Sequence, residues 1–205
     1  MMMHLRKLTA ATACLALAMG LGVTGAQAKS DTSQSPGEVK KEQPLKFVGF
    51  DKQVAKENGY DIRKDANGIE YSIPASVPKG DMTGAVYGPG TGPKAEISLM
   101  AGGFVEGDCG SASLLGSGKS FTTGYTIHWY LGPSARHTWR VVVSSGYGYE
   151  VFNMDGWFGG SAWSAQRGIS FKGLPYSGYV SGGRVTTAAG FVCSSLSPSD
   201  SWYGY

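Results

Sequence analysis

Cysteine and histidine are scarce in this chain, and carboxylates are few where its aromatic residues concentrate. There are three cysteines, at positions 14, 109 and 193, and three histidines, at 4, 128 and 137. Past residue 28 no apolar run approaches the roughly 20 residues that a spanning helix needs, so no membrane insertion is expected. No internal repeat is visible, which argues against a solenoid or propeller.

What is present at the start has the three parts of an export signal. Arg6 and Lys7 supply the positive end, residues 8–23 are uncharged and rich in Ala, Leu, Met and Gly, and Ala26-Gln27-Ala28 is a small-x-small cleavage site. Residues 1–28 therefore read as a signal peptide, and the protein as secreted and extracellular. Loss of Arg6 and Lys7 takes the formal net charge from +3 to +1. A near-balance of that kind lacks the clustered basic face that nucleic acid demands, so nucleic acid is not an expected partner. Cys109 and Cys193 remain as an even pair in an oxidising compartment, which predicts one disulfide.

Composition shifts near residue 80. Residues 29–80 hold 17 charged side chains and four aromatics, Phe47, Phe50, Tyr60 and Tyr71. Residues 81–205 hold 14 charged side chains, 20 aromatics and 24 glycines. The first segment has too little apolar surface to offset its own ordering entropy, so it reads as a largely extended polar arm, partly disordered. The second reads as a domain. Within the arm, Asp51 is placed to cap a short helix that Asn58-Gly59 ends. Asp65 to Gly68 is a turn between two short strands.

From residue 95 the chain alternates with period two in short runs split by glycine, the pattern of an all-β domain. Strands are expected at 95–101, 111–115, 121–130, 138–144, 149–153, 161–165, 168–172 and 184–193. An antiparallel sandwich or small barrel of seven to nine strands follows. Cys109, Trp129 and Cys193 resemble the Cys–Trp–Cys pattern of immunoglobulin domains, with wider spacings and with Phe191 at the tyrosine-corner position.

Catalytic templates fit poorly. Gly118-Lys119-Ser120 lacks the opening glycine of a phosphate loop, since position 113 is Ser, and no helix is expected after it. Only His128 and His137 are available as imidazole bases in the domain, and neither has a context that places a nucleophile beside it. Asp65-x-Asn67-Gly68 is a fragment of a calcium loop, with Arg63 at the upstream carboxylate position. The domain's seven acids, Asp81, Glu96, Glu106, Asp108, Glu150, Asp155 and Asp200, show no pairing of the kind glycoside hydrolysis uses. No catalytic residue, metal ligand or cofactor is expected, and the protein does not read as an enzyme.

Aromatic surface is what the domain has in excess. Tyr147, Tyr149, Trp157, Phe158, Trp163, Tyr176, Tyr179, Trp202, Tyr203 and Tyr205 cannot all face inward in so small a core. Tyr and Trp beside glycine make rigid contact surfaces for protein partners or sugar rings. In the arm, Phe47, Val48 and Phe50 form an isolated apolar patch of the kind that docks on a partner by strand addition. The expected partner-binding residues are therefore Phe47, Val48, Phe50, Tyr147, Tyr149, Trp157, Trp202 and Tyr203. Together they suggest an adaptor or binding subunit of an extracellular assembly whose partners are other secreted proteins. A subunit of an antibacterial toxin particle would fit this organisation, as a likeness of layout and not of motif. A lectin-like module for cell-wall glycan is the alternative, and a secreted hydrolase comes third.

Overall fold

The period-two alternation of the sequence becomes antiparallel sheet in the computed structural model, which describes residues 43–92 and 108–204. The leader, the polar stretch through residue 42 and the expected strand 95–101 lie outside the described residues. In chain order the first elements are β1 (Gln43–Phe50), α1 (Lys52–Glu57), β2 (Tyr60–Lys64), β3 (Glu70–Pro74) and β4 (Val86–Tyr87). There follow β5 (Gly110–Ser117), β6 (Ser120–Ile127), a 3-10 turn at Trp129–Leu131, β7 (Ser134–Ser145), β8 (Gly148–Asn153) and β9 (Gly156–Trp157). The last are β10 (Ala162–Gly168), β11 (Tyr176–Thr187), β12 (Phe191–Ser195) and β13 (Ser199–Trp202).

Ten of these strands form one sheet, with the order β10-β6-β5-β1-β12-β11-β7-β8 and with β13 beside β11 and β9 beside β7. The sheet curls into a half-barrel. Its concave side holds the core, because alternate residues of each strand are large and apolar. Phe121, Tyr125 and Ile127 come from β6, Trp139, Val141 and Val143 from β7, and Val180 and Val185 from β11. The curl brings distant strands together across that core, with Phe121 on β6 packed 4.9 Å from Phe152 on β8. Tyr125 lies 5.4 Å from Trp139 in the same way. Cys109 and Cys193 are bonded, as the even cysteine count predicts, and both are buried.

The described residues on both sides of the expected division at residue 80 belong to one compact unit. Strand β1 lies between β5 and β12, and Leu45 has no solvent exposure. Too few apolar groups to fold alone are still enough to complete a core supplied mostly by other strands. Helix α1 starts and stops where the sequence places its signals. The Asp51 carboxylate accepts from the backbone N–H of Gln53 and Val54, both at 3.1 Å, and Asn58 is the C-cap. Helix α1 packs Ala55 against Gly190, where an added Cβ would sit 2.8 Å from the Ala55 methyl. The hairpin β2–β3 is joined by β4 in a separate three-stranded sheet.

Three expectations for strands need correction. The run 184–193 is a hairpin, because Gly190 takes φ +87° and its N–H bonds to the Thr187 carbonyl in a tight turn. The run 168–172 is irregular beyond Gly168. Trp129 has left the strand for the 3-10 turn and is 85% exposed, so it does not pack on the disulfide as the immunoglobulin pattern implies.

Candidate binding surface

Of the two imidazoles in the domain, His137 is tied into the fold. His137 on β7 is buried between aromatic rings, 4.4 Å from Trp163 and 5.5 Å from Tyr125. Its Nε2 lies 2.9 Å from the Met154 carbonyl and its Nδ1 lies 3.0 Å from the Tyr125 hydroxyl. Burial pushes its pKa below the ordinary value, against the opposing influence of the Met154 hydrogen bond and the Asp155 charge. Burial pushes the Tyr125 phenol up. His128 stacks on Tyr130 at 5.5 Å.

Several acids are also hydrogen-bonded within the fold. Glu150 accepts from the Ser170 N–H and hydroxyl, both at 3.0 Å. Asp155 accepts from the Trp139 N–H at 2.8 Å, and Asp200 from the Gly116 N–H at 2.9 Å. Asp65 closes its turn by accepting from the N–H groups of Asn67 and Ile69, each at 2.9 Å. Among the described residues no three His, Cys, Asp or Glu side chains gather as metal ligands would.

The convex face of the sheet is different. Directly paired residues in an antiparallel sheet share a face, so the register draws rows across it. One row runs Tyr149, Ser144, Ser177, Ser201 over strands β8, β7, β11 and β13. The next runs Val151, Val142, Tyr179, Ser199 over the same strands. Neither row contains a charge or a bulge, and Tyr203 continues the outward alternation of Ser199 and Ser201. The residues between them, Val141, Val143, Tyr176 and Trp202, face the core. The core thus forces the tyrosines outward, and Tyr149 is 74% exposed.

Farther along the same face lies Arg140, opposite Asn153 and a bulge in β11. Beyond it a third row runs Thr138, Arg184, Ser194, Lys46 over β7, β11, β12 and β1. Arg140, Arg184 and Lys46 are exposed, and no ion pair among the described residues involves them.

The expected partner-binding residues divide. Tyr147, Tyr149 and Tyr203 stand exposed at the tyrosine end of this face, Tyr147 in the β7–β8 turn. Val48 is exposed at an irregularity in the β1–β12 pairing. Trp157 is exposed at the opposite end of β7, where it and Phe158 line a cleft of about 320 Å³ with Asn58, Pro133, Ala135 and Ala188. Trp202 is corrected to a core residue, only 7% exposed, with its Nε1 donating to the Gly118 carbonyl at 3.1 Å. Phe47 and Phe50 are half-buried and pack on the protein's own core, their rings 6.0 and 4.9 Å from that of Phe191. They belong to the fold and leave no free docking motif.

The candidate residues that the sequence reading did not assign to a site are Tyr179, the row serines and the three cations. Serine at 199 and 201, alternating with Asp200 and Trp202, is the one period-two signal that marks part of this face in advance. Comparison of the chain with protein-family models, with curated proteins and with solved structures finds no match.

Proposed function

We propose that this is an exported, non-enzymatic binding protein, a subunit of an extracellular assembly that holds its target on the convex face of β7, β8, β11 and β13. The observation that carries this reading is the set of tyrosines, Tyr149, Tyr179 and Tyr203, displayed with four serines on an uncharged, regularly paired patch of sheet. Tyrosine gives a large contact area with only two side-chain torsions to immobilise, and its hydroxyl remains available for hydrogen bonds. The disulfide and the leader-like start support export. The occupation of His137, Glu150, Asp155 and Asp200 by structural hydrogen bonds supports a role without catalysis.

The Trp157–Phe158 cleft supports the adaptor form of this reading. It sits at the other end of β7, nine residues from Ser144, a separation of about 30 Å in extended chain. Two separate contact surfaces at that distance suit a protein that joins two partners.

Purification from the culture medium tests the proposal. The native protein is expected to bring down its target in fixed ratio. The variant Tyr149→Ala/Tyr179→Ala/Tyr203→Ala is expected to lose it while keeping its melting temperature. A variant that retains the target in full refutes the assignment of this face.

A further inference from the structure

The cations of the convex face are arranged by the same register that arranges the tyrosines. Arg184 and Lys46 lie in one row, two strands apart, hence about 9–10 Å from each other. Arg140 is the diagonal neighbour of Arg184 on one side and of Tyr179 on the other, at roughly 7–8 Å in each case. The rows contain no Asp or Glu. Among the described residues, Asp200 is turned to the Gly116 amide, Glu150 to Ser170, and Asp51 to Arg136, two residues along β7 from Thr138.

We infer that this face binds an anionic polysaccharide, with Lys46, Arg140 and Arg184 meeting its acid groups and Tyr149, Tyr179 and Tyr203 lying against its sugar rings. The inference rests on the reading of this face as the binding surface and names the chemistry of the ligand. Charge complementarity selects an anion, since three cations without an ion pair among the described residues lie along one face and the rows that hold them contain no acid. Hydroxyl content favours a sugar polymer: four of the eight positions in the two tyrosine rows are serine, and their hydroxyls with those of the tyrosines suit a polyhydroxylated partner. Extent selects a polymer over a single sugar. Tyr149 and Tyr179 are two strands and two residues apart, about 12 Å, and the cations extend the surface further along β7 and β11. Nucleic acid fits less well, because three cations neutralise few phosphates and binding to a nucleic-acid backbone is dominated by that term.

Titration calorimetry on the full exported chain tests this with three probes. They are an oligogalacturonate, the same oligomer with its carboxyls methyl-esterified, and a single-stranded oligothymidylate of equal charge. The charged sugar is expected to bind tightest. The variant Lys46→Gln/Arg140→Gln/Arg184→Gln should weaken that binding roughly tenfold or more, each exposed contact adding a modest share. Thr138→Glu, which places a carboxylate in the basic row, should weaken it with the row cations intact, and both variants should melt with the native protein. Equal binding of acid and ester overturns the anionic assignment, and tighter binding of oligothymidylate overturns the sugar. Unchanged affinity in the glutamine variant, or no binding of any probe, also overturns the inference. The proposed binding role is tested separately, by co-purification with the tyrosine variant.

Discussion

The hydroxyl of Tyr125 donates its proton to Nδ1 of His137 across 3.0 Å. The direction follows from the far side of the ring. Nε2 lies 2.9 Å from the Met154 carbonyl, which can only accept, so Nε2 carries the hydrogen and Nδ1 is bare. Tyr125 must then donate to Nδ1, and the Ser134 hydroxyl, 3.0 Å from the phenol, donates to it in turn. One carbonyl at the end of β8 thus fixes the orientation of three buried polar side chains.

That chain of bonds predicts how stability depends on pH. Burial holds the folded pKa of His137 below its ordinary 6.5. Between the two values the unfolded chain binds a proton that the folded chain refuses, so stability rises with pH there. The contribution is complete above 6.5 and is lost as pH falls below it, until the depressed folded value is reached. Urea midpoints measured from about pH 7.5 down to about pH 5.5 should fall, and His137→Gln should flatten the fall. An equal slope in the variant would mean that another group is responsible. His137→Ala, which takes the Nε2 donor from the buried Met154 carbonyl and leaves the Tyr125 hydroxyl with Ser134 alone, should cost about 1–3 kcal/mol.

The disulfide has a consequence of its own. Cys109 and Cys193 are 84 residues apart, and closing so long a loop restricts the unfolded chain by about 4–5 kcal/mol in the entropy model. The chain lacking residues 1–28 should show no free thiol on alkylation under denaturing conditions, and reduction should lower its stability by about that amount. Two labelled cysteines without prior reduction would contradict the bond.

Trp202 makes the third prediction. Its ring crosses Gly116, where an added Cβ would lie 1.8 Å from Cδ2 and 2.1 Å from Cε3. The same ring packs 5.8 Å from Tyr176. Gly116→Ala must therefore displace a core tryptophan or bend β5, and should cost about 1–3 kcal/mol in equilibrium denaturation. An unchanged midpoint would place the ring elsewhere.

Local signals in the sequence were readable where local chemistry decides the outcome. The carboxylate of Asp51, the stop at Asn58 and the turn from Asp65 to Gly68 act on their own neighbours, and each appears as expected. The strand expected at 138–144 was readable because period two is a property of one strand, and its alternate residues Trp139, Val141 and Val143 are buried. Trp202 and the convex rows were not readable. An aromatic residue in a polar tail looks exposed until β13 is laid beside β11, and Lys46 joins Arg184 only through β12. Facts of that kind belong to pairings between distant segments, which one strand's alternation does not encode.

The last prediction concerns β1, where composition suggested an arm and the fold uses a strand. Phe47 packs against Phe50 at 5.2 Å and both rings meet Phe191, while the Phe47 ring occupies the space where Gly88 would carry a Cβ. Leu45 is wholly buried, and its carbonyl accepts from the Cys109 N–H at 3.0 Å. Removing residues 29–50 therefore takes a central strand from between β5 and β12, uncovers two strand edges and empties part of the core. The truncated protein should fail to fold or should aggregate, and not merely lose a partner. Phe50→Ala is the milder probe. A half-buried phenylalanine should cost about 1–2 kcal/mol, part of the value for full burial, read as a lower urea midpoint with the slope unchanged. Removal of residues 29–42 alone, which leaves β1 whole, should leave that midpoint where it is. If the 29–50 deletion melts like the native chain, β1 is not part of the sheet and the arm reading returns.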